Sequence, residues 1–168
     1  FQILLSRPEK ALLLAMLLRA GFRKIPHRQD AQAQYADARI AIGIGDISDR
    51  AGSLGMSDGE AFRLSGRALD EMSRRQRLII NTLWPDINEE MEVACALSEA
   101  IVSRWTHAQA SIIYSYLLSG KTQQALAKEF GITQGAVSQR LSDAGNMDAI
   151  RKFLQRFEKL ISKQISEV

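Results

Sequence analysis

Lys121 to Leu141 reads KTQQALAKEFGITQGAVSQRL, two helical runs parted by one glycine. Thr122 suits an N-cap, because its hydroxyl can accept an orphan backbone N–H, and Gln123 to Phe130 then run without a breaker. Gly131 ends that run, since a left-handed backbone costs glycine little and lets the chain turn sharply. Thr133 can cap a second helix from Gln134 to about Ser142. Leu126, Ala127, Phe130, Ile132, Val137 and Leu141 supply apolar residues at offsets that pack the two helices together, with small Ala127 allowing close approach. Left facing outward on the second helix are Gln134, Gly135, Ser138, Gln139 and Arg140, side chains able to pair with base edges or phosphates. The spacing therefore predicts a helix-turn-helix over 122–142 whose second helix reads DNA. Its candidate DNA-binding residues are Thr133, Gln134, Gly135, Ser138, Gln139 and Arg140, with Lys128 and Lys121 beside them. A glycine-turned helical hairpin also occurs in all-helical proteins that never touch DNA. The small residue before the turn and the apolar offsets after it are what favour the reader.

Working outward, everything from Asp86 onward has helical periodicity. Ile87 to Trp105 and Ala108 to Leu118 are expected as helices, and Asp143 to Asn146 as a break. A last amphipathic helix is expected from Met147 to Ile165. Its apolar stripe comprises Ile150, Phe153, Leu154, Phe157, Leu160, Ile161 and Ile165, at spacings of three and four. Such a face needs cover, either from a second copy of the chain, making a homodimer that could read a palindromic site, or from the protein's own helices.

The N-terminal half reads differently. Phe1 to Leu5, FQILL, is an apolar strand with no initiator methionine, so residues upstream are expected. Ser6 and Pro8 open a helix to about Ala20 that Gly21 closes, and its nearly unbroken apolar run predicts burial against a sheet. Lys24 to Ala36 is polar loop, and Ala38 to Ile47 alternates isoleucines with small residues as a strand with one covered face. Ser48 to Asp58 is a glycine-bearing loop. A helix capped by Ser57 or Asp58 then runs to about Met72, and Leu78 to Leu83 is a strand halted at Pro85. Strand, helix, strand, helix, strand predicts an α/β sandwich over 1–85, followed by a helical DNA-binding domain over 86–168.

Composition agrees with a globular chain: 168 residues, 46% hydrophobic, are enough for a real core. No apolar run reaches the roughly 20 residues of a membrane span, no export signal is visible, and a cytoplasmic location fits. Cys95 is the only cysteine and sits in an apolar-periodic helix, which points to a buried structural thiol rather than a nucleophile. Residues 1–120 hold 14 Lys/Arg and 14 Asp/Glu, whereas 121–168 hold 8 against 5, so the whole formal excess of +3 lies with the reader segment. Phosphate attraction requires that placement.

Two resemblances follow from these residues. Trp105 to Leu141 is similar to the helical reader of sigma-factor region four, where a short helix and a glycine precede the two-helix motif. Over most of its length the chain resembles the SatD family of bacterial proteins. FQ at the start, GIGDI at Gly43 to Ile47, SDGEAFRLSGRAL at Ser57 to Leu69, LIINTLW at Leu78 to Trp84 and GKTQQALAKEFGITQGAVSQRL at Gly120 to Leu141 carry the likeness. It implies a cytoplasmic protein with a DNA-reader-like C-terminal half. The N-terminal half looks like the palm of class III nucleotidyl cyclases, implying a ferredoxin- or cyclase-like α/β sandwich, and with it an α+β fold class for the whole chain. Those cyclases hold two metal ions with aspartates, one on a first strand that would lie upstream of Phe1. The resemblance thus implies fold without implying catalysis.

Asp46, Asp49, Asp58 and Glu60 lie in or beside the glycine loop, but their spacing matches no ligand set, and His27 and His107 are isolated. No nucleophile elbow, phosphate-cradling loop or CxxC pair is present. No catalytic residue, metal or cofactor is expected. The expected partners are double-stranded DNA, a second copy of the chain, and a nucleotide or small-molecule effector of the α/β half. The alternatives are a nucleotide-binding or cyclase-like enzyme with a helical appendage, and a protein-interaction scaffold.

Overall fold

The computed structural model describes residues 1–25, 36–46, 59–145 and 147–167. The chain is mixed α/β and mainly helical. A 3-10 turn at Pro8–Lys10 leads into α1 (Ala11–Arg23), followed by β1 (Ile40–Ile44), α2 (Glu60–Glu71), β2 (Leu78–Thr82) and α3 (Pro85–Val102). Then come α4 (His107–Ser119), α5 (Gln123–Phe130), α6 (Gln134–Asp143) and α7 (Met147–Ser166). The residues group into two compact units, one of Phe1–Leu12, Arg39–Glu99 and Phe153–Val168, the other of Leu13–Ala38 and Ala100–Lys152. The boundary expected at Pro85 marks where strand signals end; as a place in the fold, Pro85 lies inside the first unit.

In the first unit β1 and β2 pair in parallel, Ile40 opposite Leu78 through Ile44 opposite Thr82, and α2 connects them as a βαβ unit. Alternate residues of both strands are buried, as period-two patterning requires. The glycine in IAIGI has a packing reason: a Cβ on Gly43 would lie 2.1 Å from the carbonyl oxygen of Ala61, so α2 rests on the strand backbone itself. Asp46 follows the strand, and its carbonyl accepts the Glu60 N–H at 2.9 Å, occupying one orphan donor at the start of α2. Arg39 closes the other end by donating to the Met72 carbonyl at 2.6 Å. Pro85 stops β2 and also opens α3, where a missing N–H costs nothing. Asn88 fixes that junction by accepting from the Thr82 N–H at 2.8 Å and donating to the Thr82 carbonyl at 3.0 Å.

Two expectations fail in the N-terminal segment. Phe1 to Leu5 forms no strand; Phe1 and Ile3 are exposed, and among the described residues the sheet has two strands only. An apolar run has strand propensity, but a strand exists only when a neighbouring edge takes its hydrogen bonds. Gly21 does not close α1, which continues to Arg23. A Cβ on Gly21 would sit 3.5 Å from the Tyr114 ring, an ordinary contact, and the helix passes through the glycine, which can end a helix without having to. The helix from Ser57 or Asp58 begins within the described residues at Glu60, behind Gly59, and ends at Glu71 as expected. The loops expected over 24–36 and 48–58 lie largely outside the described residues, with Asp49, Asp58 and His27 in them.

The second unit is built around Trp105, which is fully buried. Its indole N–H donates to the Ala144 carbonyl at 2.9 Å, satisfying a group at the end of α6, and its own carbonyl accepts from Arg23 Nε at 3.1 Å. Arg23 also donates to the Ser103 carbonyl at 2.6 Å and to Asp37 Oδ2 at 3.1 Å. Arg19, with no exposed surface, holds the same carboxylate in a two-pronged pair at 2.9 and 2.8 Å. The hydrophobicity of α1 therefore masks a buried ion cluster on its last two turns, whose anion lies outside the helix.

The apolar stripe of α7 is covered within the chain. Ile150, Phe157 and Ile161 are at most 1% exposed, while Ile165 at its end stays accessible. Of the two covers the stripe allowed, a second copy or the protein's own residues, the chain itself buries Ile150, Phe157 and Ile161 and leaves Phe153, Leu154 and Leu160 half-buried, because three- and four-residue spacing identifies an apolar face without saying what covers it.

Candidate nucleic-acid interface

Each end of the helix pair is fixed by local chemistry. Thr122 Oγ1 accepts the Ala125 N–H at 3.2 Å, and Thr133 Oγ1 accepts the Ala136 N–H at 3.1 Å. Gly131 stands at φ +62°, in the left-handed region, and both its N–H and that of Ile132 turn back to the Ala127 carbonyl. Leu126, Ala127, Val137 and Leu141 are buried, and α4, α5 and α6 pack together as a three-helix cluster. α4 enters through a reciprocal cap in which Thr106 Oγ1 accepts the Gln109 N–H while Gln109 Oε1 accepts the Thr106 N–H. That T-x-x-Q signal is plain in the sequence, though the helix expected there began at Ala108.

With Val137, Leu141 and Ala144 turned inward, a rotation of about 100° per residue puts Gly135, Gln139 and Ser142 on the outermost line of α6. Ser138 flanks that line on one side, with Gln134 further round beyond it in the first turn, and the exposed Asp143 flanks it on the other. Thr133, Gln134, Gly135, Ser138 and Gln139 are all exposed, so five of the expected reader residues form one accessible polar surface. Arg140 is half-buried and lies on the other flank, apart from Gln134 and Ser138. Gly135 keeps this surface low. Ser142 extends it by one turn beyond the residues expected; it stands four after Ser138, a spacing the sequence displayed.

The two lysines part company. Lys128 is exposed on α5. Lys121 pairs with Glu129 Oε2 at 2.8 Å, and Glu129 Oε1 accepts from Ser115 Oγ at 2.7 Å. Lys121, and then Ser115, hold the Glu129 carboxyl below the usual carboxylate range. This exposed pair ties the chain ahead of α5 to the last turn of α5 and to α4, and a phosphate would have to compete for the lysine.

Beside the reader helix, Tyr116, Gln123, Ser138, Ser142, Asp148 and Arg151 line an open cleft of about 240 Å³. Arg151 donates to the Tyr116 hydroxyl at 3.3 Å and to Asp148 Oδ1 at 3.0 Å, and Lys152 pairs with Asp148 Oδ2 at 2.9 Å. Lys152 foremost, with Arg151, lowers the Asp148 carboxyl, while Tyr116 and then Asp148 push the Arg151 guanidinium up.

Among the described residues no three His, Cys, Asp or Glu side chains come together to hold a metal ion, and no helix is long and apolar enough to cross a membrane. Asp46 is exposed, and Glu60 sits at the start of α2. His107 is exposed at the start of α4, and Cys95 is buried in α3, as expected. Comparison of the chain with protein-family models, with curated proteins and with solved structures gives no match.

Proposed function

We propose that this chain is a sequence-reading DNA-binding protein, a bacterial transcriptional regulator that acts in the cytoplasm. The observation that carries the reading is α6. It is a capped helix set against α5 through a left-handed glycine turn, and it presents Gln134, Ser138 and Gln139 on one exposed face with no bulky residue at Gly135. Glutamine matches the donor and acceptor pair that adenine shows in the major groove, and serine hydroxyls adapt to either partner. Lys128 and Arg140 supply charge for phosphates on either side of that face. The sigma-region-four and SatD resemblances point the same way. In this reading the βαβ layer of the first unit belongs to a ferredoxin- or cyclase-like sandwich that senses a nucleotide or other effector. Catalysis has no part in it, and formation of a cyclic nucleotide from ATP or GTP with Mg²⁺ or Mn²⁺ would overturn that element.

The test is a set of alanine variants titrated against a preferred duplex and its single-base variants. Gln134→Ala and Gln139→Ala should lower discrimination at one base position each by about 1–3 kcal/mol. Lys128→Ala and Arg140→Ala should weaken every duplex alike and flatten the salt dependence. Equal effects of all four on all sequences would remove the reading helix from the account.

A further inference from the structure

We infer that the cleft lined by Ser138, Ser142, Gln123, Tyr116 and Arg151 seats a backbone phosphate of the duplex, with Arg151 as its cation. The inference rests on the DNA-reading proposal and extends it to residues on α4, α5 and α7 that no reader-helix pattern contains.

Three observations carry it. The first is position: Ser138 belongs both to the exposed reading face of α6 and to the wall of the cleft, and Ser142 stands four residues on, about 6 Å along the axis. A strand whose bases meet Gln134 and Gln139 therefore brings its sugar-phosphate edge over the cleft. The second is donor chemistry. Ser138, Ser142 and Tyr116 offer hydroxyls, Gln123 an amide, and Arg151 a guanidinium that directs two hydrogen bonds to Tyr116 and Asp148 while its side chain remains 53% exposed. A guanidinium has five N–H donors, so capacity is left for phosphate oxygens. The third is charge. Among the described lining residues Asp148 is the one carboxylate, and its two oxygens face Arg151 and Lys152, so the three groups together carry a single positive charge. That disfavours a cation and suits a monoanionic phosphodiester. The apolar residues of the lining, Leu141 and Met147, are themselves buried, which leaves a polar mouth and little for an apolar ligand to cover.

The experiment measures binding of the full chain to one preferred and one scrambled duplex as a function of salt, for the wild type and for Arg151→Ala, Arg151→Lys and Asp148→Asn. Arg151→Ala should weaken both duplexes by the same factor, about tenfold at low salt, and reduce the slope of log K against log salt by about 0.9. Arg151→Lys should keep the slope, and Asp148→Asn should tighten both duplexes by about twofold to fourfold, since it removes the opposing charge. Mere loosening of α7 would weaken binding in both the Arg151→Ala and the Asp148→Asn variants, so opposite signs separate the charge role from a structural one; circular dichroism confirms that each variant is folded. If the wild type binds duplex but Arg151→Ala leaves slope and affinity unchanged, the cleft assignment falls and the DNA-reading proposal stands. If Arg151→Ala changes base preference instead, the residue reads bases and the phosphate assignment is wrong. Displacement of the duplex by millimolar inorganic phosphate at constant ionic strength would make a free phosphate the occupant and overturn the assignment. A wild type that binds no duplex overturns both.

Discussion

Replacing Asp37 by alanine removes the carboxylate that Arg19 and Arg23 share. Arg19 is fully buried, and the Arg23 and Asp37 side chains are 6% and 9% exposed, so solvent cannot take the place of the lost anion. Three charge-assisted hydrogen bonds disappear at 2.9, 2.8 and 3.1 Å, together with the bond from the Ala38 N–H at 2.9 Å. Arg23 keeps the carbonyls of Trp105 and Ser103, which moderates the loss on its side. Breaking a buried pair from one side costs about 3–5 kcal/mol, and about 4 is expected here, a large part of the roughly 5–15 kcal/mol that holds a domain together. Urea unfolding followed by circular dichroism reads it directly. With a slope of about 1–3 kcal/mol per molar, the midpoint should fall by at least about 1 M. Arg19→Met combined with Asp37→Leu should cost less than Asp37→Ala alone, because the fully buried Arg19 charge is gone and only Arg23, which keeps two carbonyls, is left without the carboxylate. An Asp37→Ala protein within about 1 kcal/mol of wild type would refute the idea that this ion cluster is a main support of the second unit.

Other perturbations test the rest of the fold. Phe157→Glu forces a carboxylate into a fully buried site and should cost more than about 4 kcal/mol, so that light scattering and circular dichroism find an unfolded or aggregated chain; a folded monomer would return α7 to the surface. Gly131→Ala meets open space and suffers only left-handed strain, about 1–2 kcal/mol, whereas Gly145→Ala at φ +88° also brings a Cβ to 2.8 Å from Ile101 Cγ2, so about 2–4 kcal/mol is expected there. Equal thermal shifts for the two would contradict the turn geometry. Glu90, Glu129 and Asp148 have carboxyls held below their ordinary values by Arg156, Lys121 and Lys152 respectively. For a depressed carboxyl the contribution is present above the ordinary carboxylate range and lost as pH falls through the lowered value. Stability should therefore be flat in these groups between pH 6 and 8 and decline on acidification below about pH 4.5; a rise on acidification would have the wrong sign.

The helix pair at 122–142 was legible because its determinants are local: a threonine ahead of each helix, one glycine between them, and apolar offsets along both. The βαβ segment was legible for the same reason, since alternation in Ile40 to Ile44 and Leu78 to Thr82 is a property of each strand alone. What escaped depends on distant partners. Phe1 to Leu5 has the composition of a strand but pairs with no strand among the described residues. Arg19 looked like the polar end of an apolar run, yet its carboxylate lies 18 residues on, and the carbonyl that Arg23 reaches at Trp105 is 82 residues away. Arg151 meets Tyr116 across 35 residues, so the cleft beside α6 has no signature in any one stretch. In α7 the periodicity marked the apolar face correctly and left its cover undecided.

Selection of duplexes from a random pool by the wild-type chain at low salt tests the central claim most directly. A short motif containing at least one adenine read by glutamine should be enriched, with enrichment at that position lost in Gln134→Ala or Gln139→Ala while the protein stays folded. A pool that emerges without any sequence preference, from a folded wild-type protein at low salt, would contradict it.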